Sequence, residues 1–141
     1  MPKIDFMAVA LREAKKASLK NEIPIGVVIV KDGKIIARAY NQTEQRGHFA
    51  AHAELIAIQK ASRKLNSKYL LDCDLYVTLE PCLMCYTAAR LARIPRLHFL
   101  LRSEKFGRRG KAYPKIKSKN YKSALTQDAK HLLASFFREK R

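Results

Sequence analysis

The sequence Thr78-Leu79-Glu80-Pro81-Cys82-Leu83-Met84-Cys85 joins an apolar strand end to a proline and two cysteines. The cysteines have C-x-x-C spacing, and the motif His52-Ala53-Glu54 supplies an imidazole upstream. Thiolate and imidazole are the ligand types that zinc prefers. A structural zinc site takes four protein ligands, whereas a catalytic site takes three and leaves one position for water. Because His52, Cys82 and Cys85 provide three ligands and no fourth is evident, the sequence predicts one Zn²⁺ per chain in a catalytic site.

The position of Glu54, two residues after His52, predicts where on a helix the upstream motif lies. Residues two apart lie about 200° apart around a helix, so both side chains reach one metal only at the N-terminal end of a helix. The apolar pattern that follows, from Leu55 to Ile58, predicts a helix that begins near Ala51.

Pro81 predicts a second helix start, because its missing N–H costs nothing at a first helical position. Cys82 and Cys85 would then lie one turn apart at the N-terminus of that helix. The partial positive charge of a helix N-terminus favours thiolates. We therefore expect two helix N-termini to be directed at one metal.

The motifs are more specific together than apart. H-x-E arises often by chance, and a lone C-x-x-C is also found as a redox pair. Here a predicted strand at 74–79 leads directly into the cysteines, and the order H-x-E…P-C-x-x-C is the described signature of zinc-dependent nucleobase deaminases. Zinc would activate water for attack on the base. Glu54 would be the catalytic residue that carries protons, first as base and then as acid.

The composition indicates one globular domain over residues 1–141, with 48% apolar residues. Three cysteines, two of them in one motif, do not make a disulfide framework. The N-terminus lacks the basic-then-apolar layout of a signal peptide, and no apolar run approaches the roughly 20 residues that span a bilayer. We therefore expect a cytoplasmic protein with no membrane partner, where thiolates stay free to hold metal.

The chain is strongly basic: it has 29 Lys and Arg residues against 12 Asp and Glu residues, a net charge of +17. Residues 102–141 contain 13 basic and 3 acidic side chains, and so carry +10 of that charge. Such an excess favours polyanionic partners, nucleic acid before anionic membrane. We expect a basic loop at 102–122 to contact phosphates with salt-sensitive affinity, through Arg102, Arg108, Arg109 and Lys111.

The remaining patterns predict alternating helices and strands. An amphipathic helix is expected at 6–19, and another closes the chain at 125–139. Asp32-Gly33 predicts a hairpin turn between the first two strands. The predicted strands lie at 25–30, 34–40, 75–79 and 97–101, with a polar loop at 41–50. These elements predict a three-layer α/β/α sandwich with a central mixed sheet.

Over about 4–141 the chain resembles the bacterial tRNA-specific adenosine deaminases of the cytidine-deaminase superfamily. The resemblance rests on Ile23-Pro24-Ile25-Gly26-Val27-Val28, Asn41, Ala51-His52-Ala53-Glu54, the run from Leu75 to Cys85, and Ser135-Phe136-Phe137-Arg138. It implies a cytidine deaminase-like fold and a homodimer that converts the wobble adenosine in the anticodon arm of a tRNA to inosine. It also implies that Asn41, with Ala53, contacts the flipped nucleoside, and that Phe137 and Arg138 help to hold the anticodon loop.

Three segments differ from the family pattern. His48-Phe49-Ala50 stands where the family has Asp-Pro-Thr or Asp-Pro-Ser. Ser103 replaces an aspartate, and the small-residue run that follows it in the family is basic here. Tyr86-Thr87 is bulkier than the family's small pair. These segments border the substrate pocket in the family, so they bear on which base is accepted.

Two other functions remain open from the sequence. The first is deamination of a free nucleobase or nucleoside, such as guanine, cytosine or adenosine, although a small neutral substrate does not require so basic a protein. The second is a non-catalytic RNA-binding module stabilised by zinc. That module predicts a fourth protein ligand and indifference to replacement of Glu54.

Overall fold

A computed structural model of the chain describes residues 3–103, 116–121 and 123–139. The strands are β1 (Gly26–Lys31), β2 (Lys34–Tyr40), β3 (Cys73–Leu79), β4 (Arg96–Leu101) and β5 (Lys117–Asn120). The helices are α1 (Phe6–Leu19), α2 (Thr43–Arg46), α3 (Ala53–Leu65), α4 (Leu83–Leu91) and α5 (Leu125–Glu139). The strands form one sheet in the order β2-β1-β3-β4-β5.

The sheet is mixed, as the sequence predicted. β1 pairs antiparallel with both β2 and β3, whereas β3, β4 and β5 run parallel to one another. The turn between β1 and β2 has Asp32 and Gly33 at φ values of 51° and 73°. Two consecutive left-handed residues are typical of the tight hairpin turn whose twist matches that of the strands.

Helices cover both faces of the sheet. Successive residues of β1 point to opposite faces, so Val27 and Ile29 pack in a core with α3 and α4. Val28 and Val30 pack in a second core with α1 and α5. The predicted three-layer α/β/α sandwich is therefore confirmed.

Gly26 sets how closely α1 approaches the sheet. A Cβ built at this residue would lie 2.0 Å from the carbonyl oxygen of Ala10 and 2.5 Å from the backbone nitrogen of Ala14. No side chain fits at that distance from backbone. The glycine lets the start of β1 lie directly against α1.

Several element bounds differ from the sequence predictions. The second long helix begins at Ala53 rather than near Ala51, and Pro81 precedes the N-cap Cys82 instead of taking the first helical position. The predicted polar loop at 41–50 contains α2, and the end of the predicted basic loop contains β5. Within the described residues, no helix is both long enough and apolar enough to cross a membrane.

Candidate active site

His52 and Glu54 lie at the N-terminus of α3. His52 is the N-cap, with extended backbone angles (φ −72°, ψ 146°), and Glu54 is the second residue of the helix. Between them Ala53 is fully buried, and it joins Ile56 in the core beneath the sheet. This packing fixes the first turn of α3, so both polar side chains are held at the helix end, as their spacing predicted.

Cys82 and Cys85 occupy the equivalent place on α4. Cys82 is the N-cap (φ −70°, ψ 171°) and Cys85 is the third helical residue. Tyr86 and Ala89 are buried in the same core that receives α3. Because α3 and α4 cover one face of the sheet, their N-termini meet, and the four motif residues come together from separate parts of the chain.

The metal-ligand atoms fit a zinc ion. His52 Nδ1 lies 3.5 Å from Cys85 Sγ and 3.8 Å from Cys82 Sγ, and the three ligand atoms lie within 4.8 Å of one another. Usual Zn–N and Zn–S bond lengths in a tetrahedral site place nitrogen and sulfur about 3.6 Å apart. Within the described residues no fourth protein ligand joins this group, as expected for a site that leaves one position open.

The three ligand side chains shift one another's pKa values. A hydrogen bond from Cys85 lowers the pKa of Cys82 to about 4, and His52 contributes in the same direction. The hydrogen bond with Cys82 raises the pKa of His52 and raises that of Cys85 above its ordinary range. Cys82 is thus the first thiolate to form. A divalent cation would displace the remaining protons, because zinc binds the deprotonated forms.

Glu54 is a buried carboxyl with a raised pKa. The residue is 4% exposed, and burial raises its pKa to about 7. Its Oε1 atom has no hydrogen-bond partner among the described residues. A buried polar atom without a partner is costly, which indicates that this oxygen serves a ligand. A cation at the neighbouring ligand atoms would lower the pKa again.

A cavity of about 540 Å³ opens above these residues, within the usual size range of ligand pockets. His52, Glu54 and Cys82 are among its lining residues. Asn41 also lines it, and is buried with its Nδ2 atom 3.4 Å from Thr43 Oγ1. The other lining residues are Ile23, Ile25, Thr43, Phe49, Leu79, Glu80, Met84, Ser103, Leu133 and Phe137.

The structure brings together some of the predicted substrate and RNA residues. Phe137 lines the cavity, whereas Ala53 is buried in the core and does not line it. Arg102 has a side chain 57% exposed and pairs with Glu80 at 3.9 Å. Arg138 is exposed beside Ser135. Arg108, Arg109 and Lys111 lie outside the described residues, so their predicted RNA contacts stay predictions.

Sequence reasoning did not predict Leu133, and it marked Phe49 only as part of a departure from the family pattern. Phe49 lines the cavity although it is 79% exposed, and the only sign of this role in the sequence was its place in a segment that borders the pocket in the family. Leu133 lines it from α5 together with the predicted Phe137, and their spacing of four residues, which places them on one side of a helix, was the available signal for Leu133. Phe137 remains 49% exposed. Two aromatic rings therefore stand at the edge of the site.

Comparison with known proteins agrees with this geometry. Residues 2–101 match the family model described as the cytidine and deoxycytidylate deaminase zinc-binding region. A tRNA-specific adenosine deaminase of Aquifex aeolicus is 51% identical over 107 residues, covering 76% of this chain and 71% of that protein. A structure from studies of A-to-I editing by tRNA:A34 deaminases at the wobble position of transfer RNA aligns with TM-score 0.76 and 38% identity, covering 82% of this chain and 96% of that one. Guanine deaminase of Bacillus subtilis aligns with TM-score 0.69 and 30% identity, over 99% and 95% of the two chains.

We expect the protein to bind one zinc per chain, measured by metal analysis after chelation and reloading. Replacing Cys82 or Cys85 with alanine should weaken zinc binding by more than about a hundredfold, because loss of even an outer partner of a zinc ligand costs up to about that factor. Cys73→Ala is the matched control, since Cys73 is a buried thiol outside the ligand group. Equal zinc loss in all three variants would contradict the assignment.

Proposed function

The chain belongs to the tRNA-specific adenosine deaminases of the cytidine and deoxycytidylate deaminase family, and from this premise we propose that it converts adenosine to inosine at the wobble position of a tRNA anticodon. The protein is a zinc-dependent hydrolytic deaminase. One observation carries the proposal: Glu54 Oε1, buried and without a partner among the described residues, lies in a cavity that also contains His52 and Cys82.

The chain's own residues account for the proton movements. His52, Cys82 and Cys85 would hold the zinc, which when bound supplies Lewis-acid activation of water. Glu54 would take a proton from the attacking water and pass it to the ring nitrogen beside C6 of adenine. The same carboxyl would then take the proton of the hydroxyl added at C6 and give it to the amino group, which leaves as ammonia, so that water and adenosine become inosine and ammonia. Burial raises the pKa of Glu54 to about 7 and a bound cation would lower it, so that the carboxyl can accept the proton of the water.

Other residues of the cavity would hold the base. A base in a nucleic acid must leave its stack to reach a buried carboxyl, and the single-stranded loop of an anticodon arm permits this at low cost. Asn41 is buried in the cavity wall, so its amide would bind the edge of the inserted base. Ala53 would contribute by fixing the positions of His52 and Glu54 on either side of it, because its side chain is enclosed in the core.

The edge of the cavity favours RNA over a free nucleobase. A free base would be enclosed by the inner residues and would leave Phe49 and Phe137 in water. Aromatic rings at such an edge stack on the neighbouring bases of a single strand. The net charge of +17 then attracts the phosphates, with exposed Arg102 and Arg138 as cations close in sequence to cavity residues Ser103 and Phe137.

A second copy of the chain is proposed to pack against α4. Leu83 and Leu91 are 50% and 71% exposed, and their spacing of eight residues places them on roughly the same side of the helix. Large apolar side chains exposed on one side of a helix are suited to burial in an interface. We propose a homodimer formed through this side of α4, in the cytoplasm where the tRNA is found.

Incubation of total tRNA with the zinc-loaded protein, followed by reverse-transcription sequencing, is expected to show A→G conversion at a first anticodon position. Glu54→Gln should lower the rate by at least about a hundredfold, because general acid–base catalysis typically contributes that much or more. Folded, zinc-loaded protein that converts free guanine, cytosine or adenosine but no tRNA position would overturn the RNA proposal and support the alternative substrate.

Phe49→Leu is expected to raise the Kd for an anticodon stem-loop about 5- to 150-fold, because stacking on an aromatic ring contributes about 1–3 kcal/mol per base. Phe49→Tyr keeps the ring and should bind like the wild type. Fluorescence anisotropy measures both, in a Glu54→Gln background so that the substrate is not consumed. If the Leu and Tyr variants bind equally well, Phe49 does not stack on RNA.

Leu91→Lys is expected to shift the protein from dimer to monomer in sedimentation analysis, since it would place a charge within the apolar interface. Leu19→Lys is the matched control, because Leu19 is 86% exposed at the end of α1. A monomeric wild type, or dissociation by both variants alike, would refute packing through α4.

A further inference from the structure

Glu22 is a carboxylate with no exposed surface, located between the end of α1 and the start of β1. Burial of a charged group is costly unless hydrogen bonds replace its water. Glu22 Oε1 accepts a hydrogen bond from the backbone N–H of Glu44 at 3.0 Å, and its Oε2 accepts one from the N–H of Gln45 at 2.6 Å. Both oxygens are therefore used on a segment more than 20 residues away.

These two amides belong to the first turn of α2, which begins at Thr43. The first amides of a helix have no partner within the helix and need an acceptor from outside it. The N-cap, Gln42, does not supply one, because its side-chain oxygen accepts from Arg46 Nε at 2.8 Å. Glu22 supplies the cap instead, and its negative charge is favourable at a helix N-terminus.

The start of α2 and the residue two positions before it form part of the cavity wall. Asn41 Nδ2 donates to the hydroxyl of Thr43, and both residues line the cavity. The backbone N–H of Asn41 donates to the carbonyl of Ile25 at 3.1 Å. Ile23, which follows Glu22 in the chain, also lines the cavity, as does Ile25. Glu22 thus connects the wall formed by Ile23 and Ile25 to the wall formed by Asn41 and Thr43.

We propose that Glu22 is a positioning residue for deamination, which holds the two cavity walls at the separation that orients the target base. This inference rests on the proposed function. Glu22 does not line the cavity and acts only through α2, so it would affect the orientation of the base and not the attraction of the RNA. A displacement of a positioning group by about 1 Å can lower a rate about a hundredfold.

Glu22→Gln tests this role, because the amide keeps the size of the side chain but turns a donor towards one of the two backbone N–H groups. The matched control is Glu44→Gln, the same chemical change on an exposed side chain of α2 itself. We expect Glu22→Gln to lower the single-turnover deamination rate at least about tenfold, counted per zinc-loaded molecule. The Kd for the anticodon stem-loop, measured with Glu54→Gln also present, should change less than about twofold, because the affinity comes mainly from contacts with the phosphates.

Thr43→Ala provides a second variant. It leaves the carboxylate of Glu22 in place and removes only the hydrogen bond from Asn41 to the hydroxyl of Thr43. It should lower the single-turnover rate in the same direction with unchanged zinc content. The proposal is overturned if Glu22→Gln lowers the melting temperature but leaves the rate per zinc-loaded molecule within about twofold of the Glu44→Gln control, as a role in stability alone predicts.

Failure of the proposed function is recognised separately. If the wild type deaminates a free nucleobase or nucleoside and no RNA, the RNA proposal fails and the same variants are compared on that substrate. A rate loss specific to Glu22→Gln would still support the positioning role, and an equal rate would contradict it.

Discussion

The convergence of two helix N-termini on one point is the constraint on which the rest of this structure depends. Two positive helix ends would repel each other, so the place where they meet must hold anionic side chains. The thiolate of Cys82 provides such charge, and His52 and Cys85 complete the ligand group. The convergence is possible because α3 and α4 share one face of the sheet. The close approach of α1 at Gly26 fixes the opposite face.

Local sequence patterns correctly predicted the grouping of His52, Cys82 and Cys85, the paired strands and the long helices. C-x-x-C and H-x-E each bring their residues together within one helical turn, and the apolar β-branched run of β1 needs no distant partner to be recognised. β5 was missed because Lys117–Asn120 has no apolar alternation, and its strand conformation depends on pairing with β4. α2 was missed for a similar reason: the carboxylate of Glu22 that caps it is far away in sequence.

The substrate cavity depends even more on long-range packing. Its residues come from the chain before β1, the segment around α2, the ends of β3 and β4, and α5. The family resemblance identified Asn41 and Phe137 in advance, whereas Phe49 was visible in the sequence only as a departure from the family pattern. The residues that carry the chemistry are thus recognisable in two short motifs, whereas the walls of the substrate cavity come from distant segments that the fold brings together.

X-ray absorption spectroscopy of the zinc-loaded protein tests the central claim most directly, because it counts the ligands of the metal. The account predicts two sulfur atoms at about 2.3 Å and two nitrogen or oxygen atoms at about 2.0–2.1 Å, with scattering from a single imidazole. Glu54→Gln should give the same spectrum while deamination is lost. A third sulfur, or scattering from a second imidazole, would show a closed four-ligand site and contradict the assignment of this centre to catalysis.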